Sequence, residues 1–189
     1  MTEKWRLFIA LELPAEVRRK ISQHIDRLRA EMPDARASWT REPNLHLTLK
    51  FLGDVAIERI DAVDRALKRA TSGGASFEME IRGCGAFPTR GHPKVLWIGT
   101  SDGPHLSNLF EAIEREVGRL DFPREGRAFH PHLTIARLRQ PQGARALAEL
   151  HERSGFAPML VNVKDVCLIR SELSSSGARY TIVARHQLG

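Results

Sequence analysis

The sequence predicts an α+β protein built as two similar halves, each combining helices with a small sheet. Two observations carry that prediction. Segments of period-two apolar alternation are interleaved along the chain with segments of three-and-four helical spacing. One short pattern (His, aliphatic, Thr, aliphatic) also occurs twice, as His46-Leu47-Thr48-Leu49 and as His132-Leu133-Thr134-Ile135, nearly half a chain apart. That separation is too long and too degenerate for a solenoid repeat. It fits an old duplication whose copies face each other about a pseudo-twofold axis. The 189 residues suffice for one domain, 1–189, of two intertwined lobes.

Trp5 to Leu13 alternates as a strand and stops at Pro14. Val17, Ile21, Ile25, Leu28 and Met32 then step by three or four, a helix with one buried stripe, halted by Pro33-Asp34. Arg36 to Thr40 reads as a short strand, followed by the first His/Thr strand, which Gly53-Asp54 is expected to end, with Asp54 as a helix cap. Ile60, Val63, Leu67 and Ala70 mark a second helix, closed by Ser72-Gly73-Gly74. Phe77, Met79 and Ile81 alternate with charged residues as a one-sided strand, and Gly83 to Pro93 reads as a Gly/Pro-rich loop. A strand over Val95–Thr100 precedes a third helix through Leu106, Leu109, Phe110, Ile113 and Val117. After an irregular stretch, Asp121 to Ala128, comes the second His/Thr strand, then a weaker helix around Ala144, Leu147 and Leu150. Val161–Leu173 and Arg179–Leu188 are expected strands joined by a turn at Ser174-Ser175-Ser176-Gly177.

The net charge of +6 favours an anionic partner such as nucleic acid or a phosphorylated small molecule. The competing reading is a compositional bias, because the basic residues are spread along the chain. Cys84 and Cys167 lack metal-type spacing and read as reduced, buried thiols. No signal-peptide layout and no stretch of membrane-spanning length is present, so a cytoplasmic protein without a membrane partner is expected. A monomer is the expected state.

In each His/Thr strand, alternation places the imidazole and the hydroxyl on one face and the aliphatic residues on the other. If the two faces meet, one imidazole can be neutral and its partner protonated near neutral pH, a base and an acid on opposite sides of one substrate. That pairing suits in-line displacement at phosphorus, where the entering and the leaving oxygen each need a proton transfer. The Thr48 and Thr134 hydroxyls could hold the non-bridging oxygens. Neither a metal nor another cofactor is required, and a strained cyclic phosphate is a fitting substrate.

The residues Asn44-x-His46-Leu47-Thr48-Leu49-Lys50-Phe51-Leu52-Gly53 and Phe129-x-Pro131-His132-x-Thr134-x-Ala136-Arg137 resemble the 2H phosphoesterase superfamily. More narrowly, they resemble the bacterial and archaeal RNA 2′,3′-cyclic phosphodiesterases, also called 2′-5′ RNA ligases. Arg6-Leu7-Phe8-Ile9-Ala10-Leu11 and Pro93-Lys94-Val95-Leu96-Trp97-Ile98-Gly99 extend the resemblance through most of the chain. It implies a bilobal fold with an antiparallel sheet in each lobe and a catalytic cleft between them. It further implies metal-independent hydrolysis of RNA 2′,3′-cyclic phosphate ends, or of a cyclic nucleotide, to 2′-phosphates, with weak reverse 2′-5′ joining. By the same resemblance His46 is the general acid and His132 the base, although the near-symmetry of the strands leaves these roles open. Arg137 matches a phosphate-binding arginine and Phe51 a base-stacking position.

Simple alternation puts both of these on the face opposite their histidines. For Arg137, whose burial unpaired would be costly, a bulge that returns it to the cleft is expected; for Phe51 the plain reading is a core aromatic. Lys50 falls on the His46 face, either raising the cleft potential or exposed. Trp39 and Trp97 read as core, His130 as lining the entrance or exposed, and Arg90 and His92 as residues of a solvated loop. Two other readings stand beside the enzyme: a non-catalytic RNA or nucleotide-phosphate binding module, and a metallohydrolase using His46, His130 and His132.

Overall fold

The computed structural model describes residues 3–101, 103–126, 128–175 and 177–189. Its strands form two antiparallel sheets. The first contains β1 (Lys4–Glu12), β3 (His46–Ala56), β8 (Asp165–Ser174) and β9 (Gly177–Gln187), in the order β3-β1-β8-β9. The second contains β2 (Ala37–Trp39), β4 (Phe77–Phe87), β5 (Val95–Thr100), β6 (His132–Leu138) and β7 (Met159–Val163), in the order β2-β6-β5-β4-β7. The helices are α1 (Ala15–Glu31), α2 (Ile60–Thr71), α3 (Pro104–Gly118) and α4 (Ala144–Ser154). α2 and α3 pack together over the first sheet, while α4 lies on β4 and meets α1 on the second. Neither sheet is a contiguous half of the chain, since the first joins strands from both ends. No helix among the described residues is long and apolar enough to cross a membrane.

One apolar cluster runs through the molecule, from Leu7, Ile9 and Leu47 of the first sheet to Leu96, Ile98 and Leu133 of the second. Strand periodicity explains its membership: Leu7, Ile9 and Leu11 share one face of β1. Phe8 and Ala10 take the other face, joining Cys167, Ile169 and Tyr180 in a smaller cluster. β1 is therefore apolar on both sides, as a central strand with two covered faces must be.

Three strand boundaries differ from the sequence expectation. β3 does not end at Gly53; it runs on to Ala56, and Asp54 pairs with Arg6 rather than capping a helix. Gly53 has φ 72° and follows an extra residue, Leu52, so this glycine serves a bulge and not a stop. β4 continues through the segment expected to be a loop as far as Phe87. Gly85 is needed there because the Trp97 ring lies across it, and a Cβ would come within 2.3 Å of that ring. Finally, the long strand expected over Val161–Leu173 is two, divided at Lys164, because β7 pairs with β4 while β8 pairs with β1 in the other sheet. Of the expected turn at 174–177 and the irregular segment 121–128, Ser176 and Arg127 lie outside the described residues.

Candidate active site

His46 and Thr48 stand on β3, and His132 and Thr134 on β6. These strands approach each other closely although each is hydrogen-bonded within its own sheet. The local construction of the two histidines is the same. His46 Nδ1 lies 2.7 Å from the Asn44 carbonyl, and His132 Nδ1 lies 2.7 Å from the His130 carbonyl. A carbonyl can only accept, so Nδ1 carries the proton in both rings and Nε2 is the atom left to exchange protons. At His46 that atom sits 2.9 Å from the Thr48 hydroxyl.

The two rings differ in their walls. His46 packs on Phe8 (ring centroids 4.8 Å apart) and meets the edge of Tyr180 at 5.3 Å. This aromatic burial lowers the His46 pKa below the ordinary histidine value, partly offset by the Asn44 hydrogen bond. His132 meets Phe87 edge-on at 5.2 Å and Trp97 at 6.5 Å. Trp97, expected to be core, is thus a half-buried wall beside His132.

Both strands carry a bulge just after the threonine. In β3 the extra residue is Leu49, since Thr48 pairs with Ala10 and Lys50 with Ile9. In β6 it is Ile135, since Thr134 pairs with Trp97 and Ala136 with Leu96. Each bulge turns two consecutive residues inward, Leu49 with Lys50 and Ile135 with Ala136. The next residue is thereby returned to the histidine face. Arg137 is exposed there, as the expected bulge requires. Phe51 is 67% exposed and stands 6.1 Å from the Phe8 ring, which corrects its reading as a core aromatic. Lys50 is corrected in the opposite sense. It is 6% exposed, 2.6 Å from Glu114 Oε1, and donates to the Pro123 carbonyl at 2.6 Å.

Several cleft residues carried no motif. Tyr180, the one tyrosine in the chain, reaches His46 from β9. Its pKa is raised by burial, with the charges of Arg137 and Arg6 opposing the rise, which puts the β6 arginine in electrostatic reach of the first sheet. Arg41 and Asn44 both donate to the Ala178 carbonyl, at 2.7 and 2.8 Å, holding the start of β9 against the approach to His46. Thr40 fixes the second sheet in the same way: its hydroxyl donates to the Thr134 carbonyl at 2.9 Å and its N–H to that of the bulge residue Ile135 at 2.8 Å. A hollow of about 340 Å³ opens beside His46, bounded by Glu12, Pro43, Ile169, Tyr180 and Ile182. His130, Arg90 and His92 are exposed. Among the described residues, three metal-donor side chains come together at His24, Cys84 and His151, a group that includes none of His46, His130 and His132.

The profile of the 2′-5′ RNA ligase superfamily matches residues 17–174. An RNA 2′,3′-cyclic phosphodiesterase of Methanothermobacter thermautotrophicus is 34% identical over 179 residues, covering 94% of this chain and 96% of that protein. One from Thermotoga maritima is 32% identical over 178 residues, covering 94% and 92%. The structure of Escherichia coli LigT complexed with 3′-AMP superposes with a TM-score of 0.76 at 28% identity, covering 98% of this chain and 99% of LigT.

Proposed function

The chain belongs to the 2′-5′ RNA ligase superfamily, and from that premise we propose that it hydrolyses 2′,3′-cyclic phosphate ends of RNA to 2′-phosphates by two-histidine acid–base catalysis. The observation that carries this reading is the matched placement of His46 and His132. Each sits on a strand of a different sheet, tautomerically fixed through Nδ1, with Nε2 and a threonine on the same face. Relatives named as RNA 2′,3′-cyclic phosphodiesterases support the substrate class.

In the proposed reaction His132 Nε2 takes a proton from water as it attacks phosphorus. His46 Nε2 gives a proton to the departing 3′ oxygen, leaving phosphate on the 2′ oxygen. Burial holds His46 below the ordinary histidine pKa in the free protein. A bound phosphate anion favours its protonated form, so the substrate itself charges the acid. Thr48, Thr134 and Arg137 bind the non-bridging oxygens and disperse their charge as the transition state forms. Phe51 stacks on a base, and the hollow beside His46 has room for a nucleoside. The acid and the base are both side chains, so no step is assigned to a metal. The reverse step, with a 5′-hydroxyl in place of water, would join ends as a weak 2′-5′ linkage.

The test is incubation of the purified protein, in excess chelator, with an oligonucleotide ending in 2′,3′-cyclic phosphate. A 2′-phosphate product is expected, with turnover reduced at least a thousandfold in either His46→Ala or His132→Ala and the fold retained. Unchanged cyclic ends after long incubation would instead indicate a binding module, with affinity falling steeply in salt.

A further inference from the structure

Beneath the helices of the second sheet, His24 of α1, His151 of α4 and Cys84 of β4 bring their ligand atoms within 4.8 Å of one another. His24 is 1% exposed and His151 0%, while Cys84 is only half-buried and leaves a way in from solvent. Hydrogen bonds fix where the protons lie. His151 Nε2 faces the Trp97 carbonyl at 2.9 Å and must donate to it, so His151 Nδ1 holds a lone pair. His24 Nε2, 2.9 Å from that nitrogen, donates to it. His24 Nδ1 is then an acceptor, buried and without a partner among the described residues.

We propose that His24, Cys84 and His151 supply three ligands of a zinc site, with water in the fourth position, separate from the two-histidine cleft. Two imidazoles and a thiolate match the borderline softness of zinc and exclude magnesium and calcium, which take oxygen ligands. The carbonyl held by His151 Nε2 is the outer-shell partner that a metal-bound imidazole requires. For tetrahedral coordination the 2.9 Å between the two ring nitrogens widens to roughly 3.3 Å, and the widest donor separation, up to 4.8 Å, closes to roughly 3.6 Å. On binding, the proton shared by the imidazoles moves to the far nitrogen of His24, and the Cys84 proton leaves to water. Burial, with the Glu152 charge adding, pushes the metal-free Cys84 thiol up to about 12. The same nearby carboxylate charge complements a bound cation. The three donors are far apart in sequence, which is why cysteine spacing gave no sign of them.

The test adds zinc alone to full-length protein stripped of metal. One zinc per chain should resist a weak chromophoric chelator, and the melting temperature should rise by roughly 5–10 °C at a hundredfold excess over the dissociation constant. Cobalt should give a thiolate charge-transfer absorption that survives in the double variant His46→Ala/His132→Ala and vanishes in Cys84→Ser. His24→Gln should weaken zinc binding at least tenfold. Absence of stoichiometric zinc would overturn the proposal. So would cobalt absorption that persists in Cys84→Ser, or zinc binding that disappears with the cleft histidines.

Discussion

At the scale of single residues, His46 and His132 share the same short backbone contact and differ in their walls. The carbonyl two positions back fixes each tautomer, and for His46 the Phe8 and Tyr180 rings then set its proton affinity. Because burial is the main cause of the lowered His46 pKa, the sign of two perturbations follows. Titrated by NMR in the free protein, His46 should protonate below the ordinary value of about 6.5. Tyr180→Ala, which admits water to the ring, should move that value upward, and so should added phosphate. A free-protein pKa at or above the ordinary value would contradict this account of the site. The His-x-Thr pattern was legible because it recurs. Tyr180 was not, because a lone aromatic in a C-terminal strand has no partner until the hairpin folds back on Asn44.

At the scale of elements, the paired bulges at Leu49 and Ile135 decide which side chains reach the cleft. Strict alternation, the only rule available to the sequence, sends Lys50 to the cleft and Phe51 to the core; one extra residue exchanges them. The bulge at Ile135 could be inferred because a buried unpaired arginine is costly, whereas Phe51 is comfortable in either place and gave no such signal. β4 is read too short for a similar reason: Gly85 looks like a loop residue until Trp97 lies over it. Lys50 now anchors β3 to Glu114 of α3, and Glu114 Oε2 also accepts the Glu125 N–H at 3.0 Å. The chain leading to His132 is thereby tied to the bulge of β3. Lys50→Ala strands a buried carboxylate and should cost about 3–5 kcal/mol in urea unfolding. The double variant Lys50→Met/Glu114→Leu, which removes both charges, should lose markedly less. Equal losses in the two would show that the ion pair is not what holds the segment.

At the scale of the molecule, the chain crosses repeatedly between its two sheets. β1 and β3 belong to one sheet while the intervening β2 belongs to the other, and the last two strands return to complete the first. Cutting either histidine from its sheet would therefore disturb both. The fold class was readable from interleaved periodicities, but this exchange was not, since the pairing of β7 and β8 with different sheets turns on a single residue, Lys164. The exchange brings β3 and β6 together from different sheets, and in the proposed reaction the imidazole on each strand takes one of the two proton transfers. The most direct measurement uses an RNA end whose cyclic phosphate carries sulfur in place of the 3′ oxygen, a leaving group that needs no proton, with release of the 3′-thiol followed over time. Restoration of His46→Ala to near wild-type turnover, with His132→Ala still inactive, is the predicted result. Rescue of both variants, or of neither, would contradict the division of labour.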